Sequence, residues 1–147
     1  MDFKGIIPGL TANQLDGAIA GMSITDERKQ SLDFSEGYFV SGLSLVVNKD
    51  KYGLNLSYFD DSPSMFQAVE NKNNDFLLED YPVIAYKIKV DPNSKLKIAG
   101  EKLTNVDYGF AVKKGQNADL LKKFNEGLKK IKENGEYDKI VDQYIAK

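Results

Sequence analysis

Short strand patterns alternate with short helix patterns through much of the chain, and this alternation limits the fold more than any other feature. The strand patterns are apolar runs, most of them rich in β-branched or aromatic residues, at residues 54–59, 76–78, 96–99 and 108–112. The helix patterns between them lie at residues 62–70 and 83–89. Such alternation predicts an α/β sheet with helices packed against it. Two amphipathic helices, separated by Asn134-Gly135, are predicted to close the chain.

The first part of the chain predicts the same kind of structure. Apolar spacing predicts a helix at residues 5–15, followed by a short buried strand at residues 18–20. A second helix is expected to begin near Thr25, because a capping residue is followed by acids in the first turn. Residues 38–47, YFVSGLSLVV, are predicted to form one strand long enough to connect two lobes.

Length and composition exclude several classes of protein. A chain of 147 residues can form one domain, or two small lobes that share a hinge. No apolar run approaches the ~20 residues that a membrane-spanning helix needs. The formal net charge is only -2 and the lysines are spread along the chain, so nucleic acid is not expected as a partner.

The chain contains 0 cysteines and 0 histidines. Their absence excludes disulfides, thiol nucleophiles, histidine-based triads and the usual zinc sites. We therefore expect no catalytic residue, no metal and no cofactor. The opening residues, MDFKGIIPGL, lack the basic segment and the unbroken apolar core of a signal peptide, so no signal or anchor is expected within this chain.

Arg28 is the single arginine among 20 lysine and arginine residues. A guanidinium group can grip a carboxylate through two parallel hydrogen bonds, and Arg28 lies where a helix is expected to begin after a buried strand. These two features suggest a carboxylate site. The alternative is a surface ion pair with Asp26, Glu27 or Asp33.

Several stretches resemble one known family. AGMSITDERK and LDFSEGYF near the start, YFDDSPSMFQAVENKNNDFLLEDYPVIAYKI in the middle and NVDYGFAVKKGQ with the helices after it are similar to the polar amino-acid family of extracytoplasmic solute-binding proteins of ABC importers. The glutamine-binding branch is the most similar. The resemblance covers nearly the whole chain. It implies a type II, periplasmic-binding-protein-like bilobal α/β fold with two lobes joined by hinge strands, here incomplete.

The resemblance also implies ligand-binding residues. Phe3 would stack on the ligand side chain, and Arg28 would hold the α-carboxylate. Gly21 and Ser23 would bind the amino and carboxylate groups through a carbonyl, an amide and a hydroxyl. Asp80 would accept hydrogen bonds from the α-ammonium group, and Glu79 would face the distal end of the ligand. Each has a purely structural alternative: core packing for Phe3, a tight turn for Gly21, and helix caps for Ser23 and Asp80.

The resemblance further implies a division of the chain and two missing pieces. Residues 1–44 would be a partial lobe one, residues 45–105 a partial lobe two, and residues 106–147 the return strand and closing helices of lobe one. A strand, loop and helix would normally precede Met1. A second unit of roughly 30 residues would normally lie between Asp50 and Lys51. Because a sheet that lacks strands has unpaired edges, we expect a homodimer formed by strand exchange.

The function implied is capture of a polar amino acid, glutamine before glutamate or asparagine and a basic amino acid last, for delivery to an ABC permease. The location implied is extracytoplasmic, on a Gram-positive cell surface or in a periplasm. Two alternatives remain open on the same fold: a ligand-sensing or interaction domain, and, with less support, a dehydratase-like enzyme.

Overall fold

The computed structural model describes residues 2–48, 57–59 and 61–145, and for residues 47 and 48 only the backbone. The helices are α1 Ile6–Thr11, α2 Ser62–Glu70, α3 Tyr81–Val90, α4 Ala118–Glu133 and α5 Glu136–Tyr144. The strands are β1 Leu32–Phe34, β2 Phe39–Ser41, β3 Leu43–Asn48, β4 Phe76–Asp80, β5 Leu96–Ala99, β6 Val106–Tyr108 and β7 Ala111–Lys113. Helices and strands are mixed along the chain, which confirms the predicted α/β class. Among the described residues, no helix is both long and apolar enough to span a membrane.

The chain divides into two compact units. The first unit comprises Met1–Val40 and Val106–Lys139, and the second comprises Ser41–Asn105 and Ile140–Lys147. The chain therefore crosses between the units within β2, directly before β6 and within α5. The lobe boundaries predicted from the resemblance lie between residues 44 and 45 and between residues 105 and 106. They remain a prediction.

In the first unit, two pairs of strands and α1 surround a small core. β1 pairs antiparallel with β7, with Asp33 opposite Val112. β2 pairs with β6, and single antiparallel bridges join Ala18 to Ala111 and Ser23 to Tyr108. The fully buried residues of this core come from α1, the loop after it and the first strand pair: Leu10, Met22, Leu32 and Ala111.

In the second unit, a three-stranded antiparallel sheet has the order β4-β3-β5. Leu45 of β3 lies opposite Leu78 of β4 and opposite Ala99 of β5. Side chains alternate between the two faces of a strand, so one face of this sheet carries Val46 and Leu77 toward α2 and α3. The core on that face consists of Val46, Phe66, Val69, Leu77, Ile84 and Leu96.

Several predicted elements are wrong in extent. Where a helix was predicted at residues 5–15, the structure has a 3-10 turn, Phe3–Gly5, followed by α1. Residues 18–20 form only the bridge at Ala18, and the helix expected near Thr25 is a 3-10 turn at Arg28–Gln30. Residues 57–59 belong to no strand, and residues 54–56 of the same predicted strand lie outside the described residues.

The two longer strands are broken for identifiable reasons. The run 38–47 divides at Gly42, whose φ of 152° is outside the range of an ordinary strand residue. The run 108–112 divides because Ser35 takes both backbone groups of Phe110: its backbone N–H donates to the Phe110 carbonyl at 2.9 Å, and its hydroxyl accepts from the Phe110 N–H at 2.9 Å. Contacts distant in sequence therefore override the local strand preference.

Candidate ligand-binding residues

Arg28 is held in place by two other predicted site residues of the first unit. Its Nη1 donates a hydrogen bond to the backbone carbonyl of Ser23 at 2.9 Å. Its guanidinium carbon lies 5.8 Å from the centre of the Phe3 ring, within cation–π range. The Arg28 side chain is half-buried and the Phe3 ring is exposed. The structure therefore brings Phe3, Ser23 and Arg28 together.

The alternative of a surface ion pair for Arg28 is not observed. Asp26 pairs instead with Lys29, with Oδ1 3.2 Å from Nζ. Asp33 Oδ2 accepts a hydrogen bond from the Gly115 amide at 2.7 Å. Within residues 2–48, 57–59 and 61–145, no carboxylate forms an ion pair with Arg28. The chain's single guanidinium thus sits beside an aromatic ring with no acidic side chain of its own unit to neutralise it.

Gly21 adopts a left-handed conformation with φ of 62°. A Cβ at this position would lie 3.3 Å from Cε2 of Tyr108, so both the backbone angle and the space favour glycine. The Gly21 amide donates a hydrogen bond to the Tyr38 hydroxyl at 3.0 Å. The Gly21 amide therefore has a partner within the chain, and the left-handed turn agrees with the structural alternative for Gly21, whereas its binding role stays a prediction.

Tyr38 is a residue that the sequence did not identify. Its ring lies 6.2 Å from Tyr108 and 6.3 Å from Phe124, measured between ring centres. The Tyr137 hydroxyl donates to the Tyr38 carbonyl at 2.6 Å. Burial raises the pKa of the Tyr38 phenol, and the hydrogen bond from Gly21 opposes this shift. The only sequence signal was its place in the YF dipeptide at the start of a strand.

The two predicted residues of the second unit lie at the end of β4. Asp80 is the last residue of β4 and the N-cap of α3, but its carboxylate accepts no hydrogen bond from the first turn of α3. The capping alternative for Asp80 is therefore not observed. The backbone around it is fixed because the Tyr81 amide donates to the Gly42 carbonyl at 2.8 Å.

Glu79 points to the opposite face of β4 from Asp80. Its Oε1 accepts a hydrogen bond from the Asp80 amide at 2.9 Å, while Oε2 is buried and has no hydrogen-bond partner. Ser44 lies directly opposite Glu79 in the sheet, and its hydroxyl is likewise buried without a partner. Glu79 thus shares the face of Val46 and Leu77, which α2 and α3 cover.

Each unit therefore carries one half of the predicted set. The first unit holds a guanidinium, an exposed aromatic ring and a left-handed glycine, which suit a carboxylate attached to a bulky group. The second unit holds Asp80 where β4 ends, and Glu79 on the other, helix-covered face of the same strand. The predicted set therefore comprises one cationic and two anionic side chains, on different units.

The comparisons with known proteins identify the family of the chain. The model of bacterial extracellular solute-binding proteins, family 3, matches residues 1–147, which is the whole chain. The chain belongs to this family. The resemblance seen in the sequence is thereby confirmed.

Two curated relatives of this solute-binding family member are named for different amino acids. A probable histidine-binding protein of Neisseria gonorrhoeae is 30% identical over 178 residues, covering 99% of this chain and 66% of the relative. The ABC transporter glutamine-binding protein GlnH of Bacillus subtilis is 33% identical over 172 residues, covering 97% of this chain and 62% of the relative. The chain thus spans slightly less than two thirds of the length of these relatives.

The solved structures show the same fold. An ancestral arginine-binding protein bound to arginine superposes with a TM-score of 0.84 at 34% identity, covering 98% of this chain and 77% of that one. An ancestral arginine-binding protein bound to glutamine gives a TM-score of 0.83 at 34% identity, covering 100% and 78% of the two chains. These neighbours confirm the type II, periplasmic-binding-protein-like fold.

Some of the length difference from these relatives lies inside the chain. The alignment with the histidine-binding protein has 178 positions, whereas this solute-binding family member has 147 residues. The relative therefore carries internal residues with no counterpart here. Their predicted place, between Asp50 and Lys51, stays a prediction because these two residues lie outside the described ones.

Proposed function

We propose that this protein captures a polar amino acid, glutamine first, and delivers it to an ABC permease outside the cytoplasm. The single observation that carries the proposal is the state of Arg28. It is half-buried, it is oriented by Ser23 and Phe3, and no carboxylate of the described residues is paired with it. A guanidinium oriented in this way has no carboxylate partner among the described residues. The α-carboxylate of an amino acid would supply one.

The orientation of Arg28 explains how it would bind. A guanidinium has five N–H donors in a planar fork, and the Ser23 carbonyl takes one of them. The remaining donors can form a bidentate pair with a carboxylate, which is stronger than a neutral hydrogen bond. The Phe3 ring beside the guanidinium would then contact the rest of the ligand through its exposed face.

The opposite charge of the ligand is assigned to the second unit. Asp80, at the end of β4, would accept hydrogen bonds from the α-ammonium group. Glu79 is a weaker candidate for the distal end of the ligand because its buried oxygen lies on the helix-covered face of the sheet.

The names of the relatives include amino acids other than glutamine, so other ligands are tested beside it. They include proteins described as binding histidine, glutamine, arginine and cystine. The printed titles of the two ancestral structures name arginine in one case and glutamine in the other. The amino acids to test are therefore glutamine, glutamate, asparagine, arginine and histidine.

Calorimetric titration of the 147-residue protein with these five amino acids tests the proposal. We expect one of them, glutamine first, to bind. Arg28→Ala should weaken binding by 100-fold or more, about 3 kcal/mol, since one partner of a charge pair is removed. Arg28→Lys should recover only part of this loss because an ammonium group cannot form the bidentate pair.

Lys29→Ala is the matched control. It removes the neighbouring cation, which is exposed and paired with Asp26, and should leave the affinity unchanged. Equal loss in the Lys29 and Arg28 variants would contradict a specific role for Arg28. A folded wild-type protein that binds none of the five amino acids would overturn the proposal itself.

A further inference from the structure

The dipeptide Asn134-Gly135, between α4 and α5, is a motif that the proposed function does not use. It is the single Asn-Gly dipeptide in the sequence. Asn134 is the C-cap of α4, and Gly135 follows with φ of 77°, the left-handed conformation in which many helices end. The Asn134 side chain is exposed to solvent. The dipeptide therefore ends a helix at a place that water can reach.

An asparagine followed by glycine can deamidate without an enzyme. The backbone nitrogen of the glycine loses its proton to water and attacks Cγ of the asparagine. The bond between Cγ and Nδ2 then breaks and ammonia leaves, which gives a cyclic succinimide. Water opens this ring and produces a carboxylate, in either an aspartyl or an isoaspartyl linkage. Glycine favours the reaction because it has no Cβ to hinder its nitrogen.

The backbone conformation of Asn134 keeps this ring from closing. The torsion angle ψ relates the nitrogen of a residue to the nitrogen of the next residue, and at Asn134 it is 0°. The Gly135 nitrogen therefore eclipses the Asn134 nitrogen and lies away from Cβ. Ring closure needs the Gly135 nitrogen beside Cβ, since Cβ and Cγ are both members of the ring. The end of α4 must rotate about ψ before the reaction can begin.

The side chain of Asn134 is held as well. Its Oδ1 accepts a hydrogen bond from the Glu136 amide at 3.0 Å, and its Nδ2 donates to Glu136 Oε2 at 3.1 Å. Crowding plays no part, because no described atom lies within 4 Å of a Cβ position at Gly135. The backbone torsion and the contacts with Glu136 are therefore what separate the Gly135 nitrogen from Cγ.

We propose that Asn134 is a latent deamidation site, which Glu136 keeps closed and which reacts when the junction between α4 and α5 opens. The inference does not depend on the amino-acid ligand proposed above.

The product of the reaction would not close the junction again. A carboxylate at position 134 has no N–H to donate to Glu136 Oε2, and two carboxylates would face each other there. The new negative charge would also lie at the C-terminal end of α4, where the helix dipole disfavours it. Tyr137, in the first turn of α5, donates to the Tyr38 carbonyl at 2.6 Å, so the loosened junction would include this contact.

Peptide mapping by mass spectrometry tests whether the fold closes the site. The full-length chain is incubated at mildly alkaline pH, once folded and once in urea, and the fraction of Asn134 converted is followed with time. The folded protein should react at least about tenfold more slowly than the denatured protein, because only the locally opened fraction can react.

Substitutions of Glu136 test its role. Glu136→Ala removes the acceptor of the Nδ2 hydrogen bond and should speed the reaction of the folded protein about fivefold. Glu136→Gln should remain as slow as the wild type, since its carboxamide oxygen accepts the same hydrogen bond. All variants should react at the wild-type rate in urea, which separates an effect of the fold from an effect of the local sequence.

Glu133→Ala is the matched control. It removes a neighbouring acid whose Oε1 lies 3.9 Å from Lys129 Nζ and which makes no hydrogen bond with Asn134. Its reaction rate should equal that of the wild type. Asn134→Asp, which carries the carboxylate of the aspartyl product, should raise the hydrogen-exchange rate of the α5 amides severalfold.

Three results would overturn the inference. They are a folded wild-type protein that reacts as fast as the denatured one, a folded Glu136→Ala variant that reacts no faster than the wild type, and unchanged hydrogen exchange of α5 in Asn134→Asp. Glu136 is exposed, so circular dichroism should show the same fold for its variants. If Glu136→Ala unfolds, the wild-type rates with and without urea decide alone.

Discussion

The hydroxyl of Tyr38 accepts a hydrogen bond from the backbone amide of Gly21 at 3.0 Å. This contact fixes a left-handed glycine two residues before Ser23, whose carbonyl orients Arg28. Tyr38 is itself held by Tyr137 and by the rings of Tyr108 and Phe124. An aromatic cluster thus supports the backbone on which the Arg28 site depends.

Tyr38→Phe should lower the free energy of unfolding by about 1 kcal/mol, because the Gly21 amide loses its partner while the ring packing remains. Urea denaturation followed by circular dichroism measures the change. Tyr58→Phe is the control, since the Tyr58 side chain is 91% exposed. Equal unfolding midpoints for the two variants would contradict a structural role for the Tyr38 hydroxyl.

Tyr38 should also make stability depend on alkaline pH. Burial raises the pKa of its phenol above the ordinary value of 10.0, so the folded state holds this proton more tightly than the unfolded state. The resulting stability is present below the unfolded pKa and is lost as the pH rises through the folded pKa. Stability should therefore fall more steeply above about pH 10 in the wild type than in Tyr38→Phe, as measured by urea midpoints across this range. Parallel curves would show that Tyr38 is not the responsible group.

Gly42→Ala should destabilise the second unit strongly. Gly42 has φ of 152°, and a Cβ there would lie 1.8 Å from the Thr104 carbonyl oxygen. The same loop is bound through the Leu43 amide to Thr104 Oγ1 at 3.0 Å, so it cannot move freely. We expect the free energy of unfolding to fall by more than about 3 kcal/mol, as measured by thermal or urea unfolding.

Gly100→Ala is the matched control for that substitution. Gly100 also has a positive φ, 74°, but nothing lies within 4 Å of its Cβ position. Its cost should be only the backbone strain of about 1–2 kcal/mol. Similar losses at the two glycines would mean that the contact with Thr104 is relieved by a small shift of the loop.

Two serines of the second unit should respond to alanine with opposite signs. Ser44 is fully buried and its hydroxyl has no partner, so Ser44→Ala should raise stability by up to about 1 kcal/mol. Ser94 Oγ donates to Glu70 Oε1 at 2.7 Å and accepts from the Leu96 amide at 3.2 Å, so Ser94→Ala should lower stability by about 1–2 kcal/mol. Chemical denaturation measures both, and a loss at Ser44 would show that its hydroxyl is bonded in solution.

Local sequence signals predicted the first and last residues of some elements correctly. α2 runs from Ser62 to Glu70 as expected, because Asp61 Oδ1 caps the Ser64 amide at 2.8 Å and Pro63 lies in the first turn. β5, Leu96–Ala99, also matches its prediction. The helix predicted at residues 83–89 was too short, since α3 begins at Tyr81, directly after β4.

The candidate site was predictable in kind but not in detail. The rarity of arginine and the family motifs selected Phe3, Gly21, Ser23 and Arg28 from the sequence, and the structure brings Phe3, Ser23 and Arg28 together. The sequence could not show that Asp26 pairs with Lys29 rather than with Arg28. Lys29 and Arg28 are both close enough to Asp26 in sequence to pair with it. Only the folded structure shows which of them does.

The sequence by itself determined the α/β class, the family and a set of candidate ligand-binding residues, because composition, helix caps and motifs are local properties of the chain. The tertiary structure alone decided where the long strands break, which amide donates to the Tyr38 hydroxyl and which strands pair with β3. These features depend on groups far apart in the sequence, such as Gly42 with Thr104 and Ser35 with Phe110. A local pattern carries no information about such contacts, since the partner of a buried polar group is chosen by packing.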